Sequence, residues 1–184
     1  MRGGALAAQG QGEEGIAQLR QGVAAWQAIG SKVGRTSFLT FLAEAYGHVG
    51  QTAEGLNVLA EALAFAHATG ERCWEAELYR LKGELLLQSG VQGLESGVLT
   101  PDAGLQTRDA EAEACLRQAL EIAHRQQAKS LELRAVMSLS RLWQHQGKRV
   151  AAYDLLAPVY SWFTEGFDTA DLQEAQALLE NLRA

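Results

Sequence analysis

Apolar positions in this chain recur every three or four residues along most of its length, the spacing of amphipathic helices and not of strands. Ile16, Leu19, Val23 and Trp26 form one such stripe, and Leu56, Leu59, Leu63 and Ala66 form another. When EEGIAQLRQGVAAWQAIG (13–30) is set against AEGLNVLAEALAFAHATG (53–70), Gly15, Leu19 and Gly30 fall on Gly55, Leu59 and Gly70 at an offset of 40. Two further copies place Leu116 and Leu156 in the slot of Leu19 and Leu59, so the steps run 40, 57 and 40. The intervening stretches LTFLAEAYGHVG (39–50), YRLKGELLLQSG (79–90) and VMSLSRLWQHQG (136–147) end on Gly50, Gly90 and Gly147, again 40 and 57 apart. One excess of seventeen residues, between Gly90 and Ala112, accounts for the irregularity.

Each unit reads as two helices, a B helix carrying the leucine slot and an A helix closed by its glycine, which adopts the left-handed conformation at little cost. The pattern predicts a truncated A helix at 1–9, then B 12–29, A 35–49, B 52–69, A 72–89, B 108–127, A 130–146, B 149–164 and a closing helix 169–182 capped by Asp168. The whole chain, 1–184, is expected to be one repeat domain with units at about 12–49, 52–89, 108–146 and 149–184, and a loop insert at 90–107. Thr100-Pro101-Asp102 in that insert is a helix-start signal; one reading makes the insert an edge loop, the other has Val91, Leu94, Val98 and Leu99 docking onto a partner or a second copy. Pro158 is expected to kink its helix.

Helix pairs that cannot bury both faces alone must stack, which predicts an all-α solenoid. The residue types resemble the tetratricopeptide pattern. Leu42-Ala43 with Tyr46, Lys82-Gly83 with Leu86 and Leu139-Ser140 with Trp143 fill the A-helix slots, and Gly15-Leu19-Gly22, Gly55-Leu59-Ala62 and Ala112-Leu116-Ala119 fill those of B. That resemblance implies a right-handed superhelix of antiparallel pairs. The period of 40 exceeds the tetratricopeptide 34, which leaves HEAT-like stacking as the alternative.

Composition narrows the function classes. A net charge of −6 opposes general nucleic-acid binding, and no apolar run reaches the ~20 residues of a membrane span. Residues 1–11 lack the apolar stretch of a signal peptide, so the expected location is the cytoplasm. Cys73 and Cys115 are too few for a disulfide scaffold or zinc site and read as buried small hydrophobes. His48 and His145 share an A-helix slot two repeats apart, too far to share a metal, while His67 and His124 read as helix-end residues. Trp26, Trp74 and Trp143 read as core, and Trp162-Phe163 as aromatics available to a partner. No nucleophile–base constellation, phosphate loop or cofactor motif is present, so no catalytic residue, metal or cofactor is assigned.

GEEGIAQLRQGVAAW, WEAELYRLKGELLL, AEACLRQALEIAHRQQAKSLELRAVMSLSRLWQHQGK and LLAPVYSWFTEGFDTADLQEAQALLENL closely resemble the C-terminal repeat region of large bacterial proteins. In those proteins a class III adenylate/guanylate cyclase is fused to a STAND-type ATPase. The resemblance implies a regulatory or partner-binding arm without cyclase activity of its own. Because Gly10 takes the slot of Gly50, the first A helix is expected to be cut short, leaving the N-terminal helices as a flank for the upstream domains or for a homodimer.

In tetratricopeptide arrays the A helices line the inner surface. Carried over by alignment, its non-core positions hold Thr40, Glu44 and His48; then Glu77, Arg80, Glu84 and Gln88; then Arg134, Met137, Arg141, Gln144 and His145. One reading makes Arg80, Arg134 and Arg141 anchors for a carboxylate or acidic peptide. The other makes this a solvated face of internal pairs such as Arg80–Glu84. The expected function is a non-catalytic module binding a protein, a peptide or its own upstream domains. The alternative is a small-molecule sensor regulating an attached ATPase or cyclase.

Overall fold

The computed structural model describes residues 12–28, 34–95 and 103–183. Among these there are eight helices and no strand: α1 Gly12–Ala28, α2 Arg35–His48, α3 Thr52–Thr69, α4 Glu75–Glu95, α5 Ala103–Arg125, α6 Lys129–His145, α7 Arg149–Ser161 and α8 Ala170–Arg183. The predicted helix at 1–9 lies outside the described residues. Consecutive helices pack on one another, and alternate ones also touch along the A series, α2 on α4, α4 on α6 and α6 on α8. This is the stacking of a helical-repeat solenoid, with α1, α3, α5 and α7 as B helices and the even-numbered ones as A.

The repeated leucine slot is the reason the pairs stack. Leu59, Leu116 and Leu156 have no solvent exposure, and the first two sit between small residues, Gly55 and Ala62, Ala112 and Ala119, that let the neighbouring backbone approach. Gly83 shows how closely: a Cβ there would lie 2.8 Å from the Leu116 Cγ and 3.1 Å from the Ala112 carbonyl oxygen.

The ends of the helices depart from the sequence pattern in informative ways. Gly50, Gly70 and Gly147 have φ of 76–77°, the left-handed conformation that closes a helix. Gly90 does not; it is buried inside α4, which continues to Glu95. The insert expected as a loop over 90–107 is therefore helical at both ends, since α5 starts at Ala103, directly after Thr100-Pro101-Asp102. The docking set Val91, Leu94, Val98 and Leu99 has no described side-chain environment. Gln127, 57 residues after Gly70, takes over its role with φ 56°. Because a side chain in that conformation costs about 1–2 kcal/mol, partly offset by glycine's greater chain entropy, Gln127→Gly should stabilise the protein by about 0.5–1 kcal/mol in chemical denaturation.

Asp168 is not the cap of the last helix. That helix begins one residue later than predicted, at Ala170, and Thr169 precedes it, its hydroxyl donating to the Gly166 carbonyl at 2.7 Å. Pro158 lies within α7, which stops at Ser161 and not at 164. The cysteines are not fully buried. Cys73 is exposed and Cys115 half-buried, where burial pushes its thiol up.

The outer face of α8 differs from its counterpart in α6. Leu133, Val136 and Ser140 are buried against the α7–α8 pair, whereas the residues 40 positions later are exposed Gln173, Gln176 and Glu180. The inner residues keep their register: Leu172, Ala175, Leu178, Leu179 and Leu182 join the core of α6 and α7. α8 thus has one apolar and one polar face, the pattern of a capping helix.

Candidate functional site

The even-numbered helices lie side by side, and their common face holds a cavity of about 430 Å³. From α2 come Glu44, Gly47 and His48; from α4 Arg80, Leu81, Glu84, Leu85 and Gln88; from α6 Arg134, Met137, Ser138 and Arg141; from α8 Asp171 and Glu174. Leu81, Leu85 and Met137 are buried and make an apolar floor, with charged groups around them. Gln88 ties α4 to α2 by donating from Nε2 to the Gly47 carbonyl at 3.0 Å.

Of the residues singled out from sequence, Glu44, His48, Arg80, Glu84, Arg134 and Arg141 line this cavity, as do Gln88 and Met137. Glu77 does not line it but lies beside it, buried, bonded to two of its arginines. Gln144 and His145 do not line it, and His145 is exposed. Thr40 is 2% exposed and its hydroxyl donates to the Thr36 carbonyl at 2.8 Å, so it belongs to the core and not to the inner surface.

The arginines are held by the protein's own carboxylates. Arg80, with only 9% of its side chain exposed, donates from Nε and Nη2 to the two oxygens of Glu77 at 2.9 and 2.8 Å. Its Nη1 reaches Glu84 at 2.6 Å and the Ser138 hydroxyl at 3.5 Å. Burial works against this guanidinium's charge, but the bonds to Glu77 and the field of Glu84 outweigh it and hold its pKa above the ordinary arginine value. Arg134 bridges Glu77 at 2.8 Å and Asp171 at 3.4 Å, and Arg141 pairs with Glu174 at 2.8 Å. Ser138 donates to Glu84 at 2.6 Å. Glu44 and His48, by contrast, make no hydrogen bond or ion pair among the described residues.

Repeat geometry explains the ladder. Glu77, Arg134 and Glu174 sit in one slot at offsets of 57 and 40, so charges of alternating sign fall on neighbouring A helices. Asp171 and Glu174 escape the sequence pattern when 169–182 is read only as a closing helix. One more step of 40 from Leu131 and Arg134 marks it as a fourth A helix and brings both acids onto this face.

A second repeated feature lies at the B-to-A turns. His67 meets buried Glu75 at 3.0 Å and His124 meets buried Glu132 at 3.4 Å, each 57 residues from its counterpart. Arg72 and Lys129 complete the two copies at 3.8 and 2.7 Å. These histidines staple α3 to α4 and α5 to α6. Among the described residues, no group of three or more His, Cys, Asp or Glu could hold a metal ion. Trp26 packs at a tilt against Phe38, Trp74 meets Phe41 edge-on, and Trp143 donates to Glu113 at 2.8 Å. Trp162 is 58% exposed, edge-on to Phe163 and under the Lys129 ammonium.

No family model matches the chain, and no curated protein matches it. Solved structures do. A crystal structure described as nearly identical TPR-like repeats of a Podosopora anserina kinesin light chain superposes with a TM-score of 0.54 at 22% identity, covering 97% of this chain and 89% of the other. A single-substitution variant of the same repeat protein gives 0.53 at 21% identity, covering 97% and 88%. At such identity the likeness concerns the fold, which is that of a tetratricopeptide-like repeat protein. No helix among the described residues is long and apolar enough to cross a membrane.

Proposed function

We propose that this chain is a non-catalytic repeat module that binds an extended segment of a protein partner across its A-helix face. The observation that carries this reading is the cavity of about 430 Å³ to which four successive A helices each contribute side chains. Tetratricopeptide-like repeats generally mediate protein interactions, and an inner surface assembled from many repeats suits an extended ligand. The finer reading, drawn from the resemblance to cyclase- and ATPase-linked repeat regions, is that the partner lies in a bacterial signalling protein, either another chain or upstream domains of the parent.

The small-molecule sensor predicts a closed pocket with stacked aromatics. Among the described residues this lining carries no Phe, Tyr or Trp, which favours the peptide reading. Self-association through α1 is a separate proposal. Ile16 and Leu19 are buried against α2, so a homodimer there would use the exposed Glu13, Glu14, Arg20 and Gln21 face, and a single-chain mass by light scattering would remove it.

The groove is tested by filling it. Glu44 and His48 hold no other described residue in place, so Glu44→Trp with His48→Trp should leave the fold intact and weaken capture from a degenerate dodecapeptide library by about tenfold or more, about 1.4 kcal/mol. Binding that is indifferent to this pair of substitutions would sink the groove.

A further inference from the structure

We infer that the A-face cavity selects a basic segment, one that inserts a lysine or arginine side chain, and not the acidic segment its three arginines suggest. The inference rests on the groove reading above and adds the chemistry of the occupant.

The charges decide it. The lining holds Glu44, Glu84, Asp171 and Glu174 against Arg80, Arg134 and Arg141, and Glu77 lies beside them. Every arginine already meets a carboxylate, at 2.6–2.8 Å for its closest pair. An incoming carboxylate would have to displace one of these partners and would then face the remaining acids, a like-charge juxtaposition. A cation faces the opposite situation. Glu44 is half-buried, lines the cavity and has no side-chain partner among the described residues, so it accepts a charged donor without displacing any of them.

The apolar floor matches the same ligand. Leu81, Leu85 and Met137 are each at most 4% exposed and line the cavity together with these acids. Lysine and arginine carry a hydrocarbon stem ending in a cation, so stem on floor and head on carboxylate fits them together. A short polar donor such as serine would leave the floor uncovered.

The test uses the intact chain and three dye-labelled dodecapeptide libraries, degenerate except for a central Lys, Glu or Leu, read by fluorescence anisotropy. The Lys library should bind at least about tenfold more tightly than the Glu library and weaken as salt rises. Glu44→Lys should abolish that preference, while Asp154→Lys, an equal charge change on exposed α7, should leave it within about twofold. Circular dichroism confirms that both variants fold. A preference for Glu, equal binding of all three libraries, or an equal loss in Asp154→Lys would overturn the inference while leaving the groove standing. Binding by none of them would overturn the groove and this inference together.

Discussion

Arg80→Ala should be the most damaging single substitution in the protein, lowering stability by about 3–5 kcal/mol. The side chain is nearly buried, binds both oxygens of buried Glu77 and reaches Glu84 and Ser138. Removing it leaves Glu77 with Arg134 alone and Glu84 with the Ser138 hydroxyl. A buried charge stripped of its main partner carries the desolvation cost without the compensating attraction, which is why the loss exceeds that of an exposed pair. Arg141→Ala is the internal comparison: its bond to Glu174 joins side chains 42% and 60% exposed, and such pairs contribute about 0–1 kcal/mol. Thermal melts followed by circular dichroism should separate the two by roughly 10 °C. Equal melting temperatures would show that the Arg80 cluster does not hold the A helices together.

The second large effect is expected at Leu116→Ala, about 3 kcal/mol. Leu116 has no exposure and fills the gap opened by Gly83, packing with Leu139 and Leu142. Truncation leaves a void that the close α4–α5 backbones cannot collapse into, because Gly83 and the Ala112 carbonyl are already in near contact. Leu116→Met, which keeps the volume, should recover most of the loss in urea denaturation. A Leu116→Ala variant within about 0.5 kcal/mol of wild type would contradict the packing.

Much of the fold is legible in the chain because one residue type at one spacing fixes the stacking. Leu59, Leu116 and Leu156 mark the same slot in sequence and the same fully buried position in space. Gly90 misleads because a glycine's position in a repeat does not reveal its backbone conformation. Beyond it the chain stays helical to Glu95, and the described part of the insert lengthens α4 and α5. For Cys73 and Cys115 the average burial of cysteine is the only guide, and it says nothing about where a particular turn faces.

The site is only half legible. Sequence alignment brings Glu44, Glu84, Arg134 and Arg141 to one face, but not the pairing that decides what the arginines are free to do. Glu77–Arg80 is an i,i+3 pair visible in the sequence; that it is also buried and shared with Arg134 depends on two helices 57 residues apart.

The two-faced character of α8 also fixes where such an array can be lengthened. An additional forty-residue unit inserted ahead of α7 would meet hydrophobic neighbours on both sides. Placed after α8, it would press its leucines onto Gln173, Gln176 and Glu180. Insertion ahead of α7 would, however, part Arg134 and Arg141 of α6 from Asp171 and Glu174 of α8, so lengthening the array at that point also divides the charged cavity.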